Sequence, residues 1–334
     1  MLGSRQTKGC GTTLRKLGQT DYSISPIGLG TWQFSQGSGL IGSYFSTISE
    51  KDMDAIVKMS LDGGINWFDT AEAYGKGKSE EALAGALNRL NIPEEKALIA
   101  TKWWPLLRTA SSITGTIKTR KNALKGRRID LHQVHQPFSF SSPEKEMKEM
   151  ASLLHQGEIG AIGVSNFNRD KMDRAIKELN NHGASLASNQ MKYSLLDRRI
   201  ETNGVMDLAK QHGVTIIAYS PLEQGILTGK FHQNPDLIAN LSGPRKHMSQ
   251  FKPQGLAKTL PLINLLKEIG ASYGVGPGQI ALNWLVHFHG DTVVAIPGAS
   301  KLKHAEDNVK VLGFKLTEEE MKRIDEASQK VAKM

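Results

Sequence analysis

Residues 65–75, INWFDTAEAYG, form an apolar run that ends on Asp69 and breaks into a polar loop carrying Tyr74. The same shape recurs down the chain. LIATK (98–102) ends on Lys102, IDLHQVH (129–135) on His135, LASNQ (186–190) on Gln190, and TIIAYS (215–220) passes through Tyr219 to Ser220. AIGVSNF (161–167) carries Ser165 and Asn166, while IGLGTW (27–32) and VVAIP (293–297) complete a set of eight β-rich runs. Between them lie longer segments with apolar residues at helical spacing, such as EKDMDAIVKMSLDGG (50–64) and EEALAGALNRL (80–90). Eight strands alternating with helices predict an α/β fold, a (β/α)8 TIM barrel in which every strand delivers its last residues to one face.

The spacing fits closure. Steps from Asp69 to Lys102, His135, Ser165, Gln190 and Tyr219 are 33, 33, 30, 25 and 29 residues, one βα unit each. From Tyr219 to Pro297 the step is 78 residues, so the seventh connection is expected to carry an extra loop, EQGILTGKFHQNPDLIANLSGPRK (223–246), before its helices. LRKLGQTDYSISPIG (14–28) reads as an N-terminal hairpin covering the barrel bottom. Thr317 and Glu320 form a capping-box pattern for an extra C-terminal helix. The expectation is one barrel domain over residues 1–334, with 1–12 disordered.

Composition excludes several rivals. Of 334 residues 39% are hydrophobic and 22% charged, as in a soluble globular chain. A lone cysteine, Cys10, excludes an internal disulfide framework. No apolar run approaches the roughly 18 residues of a membrane span, and the first dozen residues hold no signal-peptide core. A cytoplasmic enzyme is expected, an organelle being the alternative. The net charge of +9 is spread among acids, and the densest basic run, Lys118–Arg128, lacks interleaved aromatics, so no nucleic-acid partner is expected. A positive field does favour an anionic cofactor or substrate.

Three motifs are decoys. GSGLIG (37–42) trails the first strand instead of following it directly, and the next helix begins only near Ser49, so it reads as a loop. GKS (77–79) mimics a phosphate loop, but Glu72 stands where glycine is required, and Ser79 is expected near a helix cap. His132 and His135 lie three apart on a strand and point to opposite faces, so no metal site is expected.

Asp69, Tyr74, Lys102 and His135 are complementary. Reducing a carbonyl requires hydride at carbon and a proton at oxygen, and a phenol with an ordinary pKa near 10 is a reluctant donor. A lysinium beside Tyr74 is expected to lower that pKa, with Asp69 holding Lys102 charged and His135 bonding the substrate oxygen.

FDTAEAYG, IATKWW, DLHQVHQP, GVSNF, NQMKYSLL, AYSPLEQGILTGKF and IPGASKLKHAEDNV occur here in the order of the aldo-keto reductase family, which the chain resembles over about residues 14 to 327. The resemblance implies that Tyr74 is the general acid, supported by Asp69, Lys102 and His135, and that NADPH is the cofactor, with NADH less favoured. It places Gly30, Thr31, Trp32 and Asp69 at the cofactor, and Ser165, Asn166, Gln190 and Tyr219 at the nicotinamide. The pyrophosphate falls to Ser220, Pro221, Leu222, Gln224, Gly225 and Leu227, with Lys230 and Arg245 giving charge. Ile296, Gly298, Ser300, Lys301, Lys303 and His304 lead to the 2′-phosphate, with Asp307 and Asn308 near adenine. Many relatives place arginine where His304 stands, which predicts looser phosphate binding.

A small carbonyl substrate is the implied partner, contacted by Trp32, Tyr74, Trp103 and His135, with Tyr44, Phe45, Trp104 and Phe138 as further aromatic candidates. Within the family the chain is most similar to a branch of pyridoxal reductase-like and potassium-channel β-subunit-like proteins. Carbonyl reduction, on pyridoxal or small aldehydes, is the leading implication, and a cofactor-sensing regulatory subunit is the alternative. Retention of His135 favours the enzyme.

Overall fold

A computed structural model describes residues 13–37, 47–241, 246 and 248–333. A two-stranded antiparallel hairpin, β1 (Arg15–Lys16) and β2 (Ser23–Ile24), precedes eight parallel strands: β3 (Leu29–Gly30), β4 (Trp67–Asp69), β5 (Leu98–Trp103), β6 (Leu131–Val134), β7 (Ile162–Ser165), β8 (Leu186–Lys192), β9 (Thr215–Tyr219) and β10 (Val293–Ala295). Each strand pairs with the next in sequence. Closure comes through two single bridges, Ile27 to Ala295 and Gly30 to Gly298, with Gly30 N–H donating to the Pro297 carbonyl at 3.2 Å. The result is a TIM barrel. A side chain at Gly30 would put its Cβ 2.8 Å from the Ile296 carbonyl oxygen, so the seam requires glycine there.

Parallel strands covered on both faces read as near-continuous apolar runs, and every residue of β5 is buried. Inside the barrel, Trp67, Ala100, Leu131, Ile217 and Val294 fill the lower layer, and Leu17 and Ile24 of the hairpin join them as a floor. Arg15 fastens that floor, its guanidinium donating to the Val293 carbonyl at 2.5 Å and pairing with Asp291 at 3.2 Å. A larger apolar cluster fills the space between barrel and helices.

The surrounding helices start where the residues allow. Ser49 caps Glu50–Asp62 by accepting from the Asp52 amide at 3.1 Å. Ser79 lies near the helix cap as expected, the second residue of Lys78–Arg89 after the cap Gly77. Its hydroxyl donates to the Thr31 carbonyl at 2.7 Å and accepts from Thr70 at 2.9 Å, tying two strand ends together. Among its described residues the seventh connection carries 3-10 turns, a one-turn helix Lys230–Gln233, and then two longer helices, Pro253–Tyr273 and Pro277–His287. Thr317 and Glu320 close a reciprocal capping box at 2.8 and 3.2 Å before the final helix, Glu318–Lys333.

Much of the basic run is structural. Arg120 is buried against Glu80, which also accepts from Thr101 at 2.6 Å, while Arg127 bonds Asn88 and Arg128 pairs with Asp130. Among the described residues no helix is long and apolar enough to cross a membrane.

Candidate active site

One cavity of about 810 Å³ opens at the C-terminal ends of the strands and runs across the seam toward the helix Leu302–Lys310. Strand ends β4, β5 and β6 build its inner end. Alternation turns Lys102 inward on β5, where its ammonium donates to Asp69 at 2.5 Å and to the Thr70 carbonyl at 2.9 Å. The second oxygen of Asp69 accepts from Gln190 at 2.9 Å and Gln133 at 3.2 Å. Each carboxylate oxygen therefore has a donor, as a buried charge demands.

Tyr74 sits over this pair. Its ring centroid is 5.0 Å from the Lys102 nitrogen, 6.0 Å from Trp32 and 5.6 Å from His135. Burial pushes the Tyr74 phenol above its ordinary value; Lys102 pulls it down and Asp69 pushes it back up. The direction is thus opposite to the lowering expected from Lys102 alone, because desolvation of the phenolate outweighs one adjacent cation. Burial opposes the charge on Lys102, but Asp69 and Tyr74 more than offset this, and its pKa lies above the lysine norm. His135 is held neutral, its pKa well below normal through burial and the nearby Lys102.

The middle of the cavity is a hydrogen-bonded wall. Tyr219 donates to Asn166 at 3.0 Å, Asn166 donates to Ser165 at 3.1 Å, and Ser165 donates to the Gln190 carbonyl at 3.0 Å. Asn166 is in the left-handed region at φ 60°, a conformation asparagine tolerates better than most residues. Gly30, Thr31, Ile296 and Gly298 line the opposite side.

Beyond lies the loop after β9. Ser220, Glu223 and Gln224 have φ of 51°, 46° and 54°, and Gly225 reaches 99°. The amides of Gly225 and Leu227 donate to the Leu222 carbonyl at 2.9 and 3.3 Å, so both shape the loop instead of facing a ligand. Ser220, Pro221, Leu222, Gln224, Gly225 and Lys230 line the cavity. At its far end are Ser300, Lys303, His304, Asp307 and Asn308. The Ser300 amide donates to His304 Nδ1 at 3.3 Å, and Asp307 accepts from Gln279 at 3.0 Å and Lys303 at 2.9 Å. Burial, then Lys230 and Lys301, depress the His304 pKa, which marks a cationic neighbourhood.

Three predicted cofactor or substrate positions do not line the cavity: Trp103, Leu227 and Lys301. Trp103 follows Lys102 on β5 and points outward, fully buried against the helix layer with its indole donating to Ser112 at 3.0 Å; Trp104 lines the cavity in its place. Leu227 is buried in the apolar core. Lys301 is exposed and precedes the helix as its cap residue, outside the lining. Arg245 falls outside the described residues, as do Tyr44, Phe45, and Gly39 and Gly42 of the GSGLIG stretch.

The structure adds residues that the sequence reading did not name. Gln33, Gln136, Thr228 and Lys310 line the cavity, as does the turn Gly274–Gln279 between the two helices of the seventh connection. That turn carries no charge and ends no strand, so nothing in the sequence marked it.

The lining suits a polar dinucleotide. Buried Gln33 Oε1, Gln224 Oε1, Asn308 Nδ2 and His135 Nδ1 have no hydrogen-bond partner in the protein, yet all four residues border the cavity. Groups of this kind are satisfied by a ligand or solvent. His132 lies on the outward face of β6, away from His135, and among the described residues no group of His, Cys, Asp and Glu is placed to hold a metal.

Residues 26–329 match the family model described as Aldo/keto reductase family. The chain is 34% identical over 306 residues to an uncharacterized oxidoreductase of Mycobacterium tuberculosis, covering 92% of this chain and 90% of that protein. It is 28% identical over 331 residues to the chloroplastic pyridoxal reductase of Arabidopsis thaliana, covering 96% and 87%. The glycerol dehydrogenase from Gluconobacter oxydans superposes with a TM-score of 0.80 at 27% identity, covering 95% of each chain.

Proposed function

Because the chain belongs to the aldo/keto reductase family, we propose that this oxidoreductase reduces aldehydes and ketones with NADPH, Tyr74 delivering the proton. The carrying observation is the buried Asp69–Lys102 pair beneath Tyr74 at the inner end of the cavity. When bound, a reduced nicotinamide supplies hydride to the carbonyl carbon. The Tyr74 hydroxyl donates its proton to the carbonyl oxygen, and Lys102 stabilises the phenolate left behind. Asp69 keeps Lys102 charged and fixed, while Gln133 and Gln190 keep Asp69 from turning away. Neutral His135 offers a ring N–H to the same oxygen, polarising the carbonyl without competing as an acid.

Cofactor residues follow the cavity outward. Ser165, Asn166 and Gln190 would hold the carboxamide, Gln190 through its side-chain oxygen because its nitrogen is bonded to Asp69. Tyr219, its hydroxyl fixed by Asn166, presents a ring face. Gly30, Thr31 and Trp32 flank the inner end, with Ser220, Pro221, Leu222, Gln224, Gly225 and Lys230 along the pyrophosphate, and Asp307 and Asn308 at the adenine. Ser300, Lys303 and His304 would face the 2′-phosphate, the basis for NADPH over NADH. Pyridoxal and small aldehydes are the first substrates to assay, given the similarity to a pyridoxal reductase.

The test is a titration with each cofactor, read by tryptophan fluorescence, followed by a carbonyl panel read at the reduced-nicotinamide absorbance band. NADPH is expected to bind more tightly than NADH and to be oxidised by at least one aldehyde. Failure of both cofactors to bind would overturn the assignment.

A further inference from the structure

Ser79, the last residue of the GKS stretch, is fully buried, and its hydroxyl does not cap its own helix. Both of its polar groups reach out of the helix instead. The amide donates to the Tyr74 carbonyl at 3.2 Å, and the hydroxyl donates to the Thr31 carbonyl at 2.7 Å while accepting from the Thr70 hydroxyl at 2.9 Å. Thr31 in turn donates to the Asp69 carbonyl, from its amide at 2.8 Å and from its hydroxyl at 2.9 Å. Each hydroxyl has one hydrogen to give, and each gives it within this chain. One serine therefore joins the main chain of Tyr74 to the ends of β3 and β4, where the cofactor wall and Asp69 stand.

Glu80, the next residue, does the same for β5. Its fully buried carboxylate accepts from Thr101 at 2.6 Å and from Arg120, and Thr101 directly precedes Lys102. Three threonines at three strand ends, all fully buried, thus converge on one helical turn. The loop between that turn and β4 is also pressed from the other side. A Cβ at Gly75, where φ is 64°, would lie 2.5 Å from the Ser35 carbonyl oxygen of the 3-10 turn Trp32–Ser35. Tyr74 must keep its hydroxyl for the substrate, so its ring is aimed by its main chain and by packing.

Resting on the reductase reading, we propose that Ser79 is a positioning residue for proton transfer, with Glu80 as its support: the hydrogen-bonded chain of Thr70, Ser79 and Thr31 fixes Tyr74 relative to Lys102 and to the cofactor wall at residues 30–32. Neither Ser79 nor Glu80 lines the cavity, and both act through the main chain they hold. Removing the Ser79 hydroxyl strands the Thr70 donor and the Thr31 carbonyl in a buried network, which then relaxes as a unit. Contacts to cofactor and substrate stay in place, so the loss falls on kcat.

The experiment compares Ser79→Ala with Ser60→Ala, a control that removes an equally buried hydroxyl, donating to the Ile56 carbonyl at 2.8 Å within the helix Glu50–Asp62. Ser79→Ala should lower kcat for a reduced aldehyde about thirtyfold, the scale of a sub-ångström misplacement, with KM and NADPH affinity within about twofold. The alkaline rise of the reverse oxidation should move to higher pH, because Tyr74 loses part of the pull that Lys102 exerts on its phenol. Ser60→Ala should lose similar stability in urea and leave both readings where they were. A loss confined to KM, equal kcat losses in the two variants, or an unshifted pH profile in Ser79→Ala would overturn the proposal. Thr70→Val removes only the donor to Ser79 and should give the same pattern at about fivefold; a full-rate Thr70→Val overturns the proposal even where Ser79→Ala does not fold. If the wild type reduces no carbonyl compound, the reductase reading fails by itself, and positioning is then read from the ring-carbon resonance of Tyr74 in tyrosine-labelled protein, assigned with Tyr74→Phe. A shift in Ser79→Ala and none in Ser60→Ala sustains it, whereas no shift in either, or a shift in both, ends it.

Discussion

At the barrel end of the cavity, the Lys102 side chain is 0% exposed and Asp69 1%, with every polar contact made by strand-end residues. At the helix end, Lys303 is 60% exposed and Asp307 35%, and the contacts come from the short helix Leu302–Lys310, its preceding loop and Gln279 of a neighbouring helix. On the proposed function, the difference separates two jobs. Groups that stabilise charge during a reaction must be fixed and dry beforehand, since reorganisation would consume what they contribute. Groups that hold a distant phosphate can remain wet, and their strength can be adjusted by single charges.

That contrast would collapse most visibly at Tyr74. Tyr74→Phe should lower kcat for reduction by about a thousandfold with NADPH affinity unchanged; full activity in single-turnover assays would remove Tyr74 from the chemistry. Lys102→Met strands Asp69 in the barrel and should destabilise the fold by roughly 3–5 kcal/mol in urea unfolding. Lys303→Met, losing only a surface pair, should shift stability by less than about 0.5 kcal/mol. Similar shifts from the two would erase the distinction.

At the wet end, His304→Arg adds a bidentate donor and should tighten NADPH roughly fivefold with little change for NADH; calorimetric titration at two salt concentrations checks both parts. The smallest effect is expected from pH. The Tyr74 phenol has a raised pKa and stays protonated through neutrality, so reduction loses its acid only at alkaline pH. The His135 pKa is lowered, so the ring is already neutral there and gives no acidic limb near its ordinary value. Reductive kcat should therefore change less than about twofold between pH 6 and 8, while the reverse oxidation, which needs phenolate, rises with pH. A midpoint near pH 6.5 would mean that His135 titrates in the working enzyme.

The barrel was legible because strands buried on both faces are written in apolar residues, and because Asp69, Lys102 and His135 stand where such runs stop. Legibility failed where alternation ceases to apply. Trp103 and Trp104 are adjacent and chemically alike, and only the end of β5 between them decides which meets the core. Arg120 and Glu80 look like solvated helix charges until two helices are packed around them. The turn at Gly274–Gln279 enters the cavity by tertiary folding alone. Even the sign of the Tyr74 shift depended on burial that no motif records.

The seam between β3 and β10 has a consequence for the order of events. β8 and β9 share a ladder of five residue pairs, whereas the first and last strands of the barrel meet through two isolated bridges. The cavity lies across that weak join, taking Gly30 and Thr31 from one side and Ile296, Gly298 and Ser300 from the other. During synthesis its two walls are separated by nearly the whole chain, so Tyr74, Lys102 and His135 can be made long before a dinucleotide has anywhere to lie. A ligand that bridges the seam binds only the closed ring and so stabilises it by mass action. The cofactor would act as the clasp of the barrel, and its loss would be felt first where the circle was completed last.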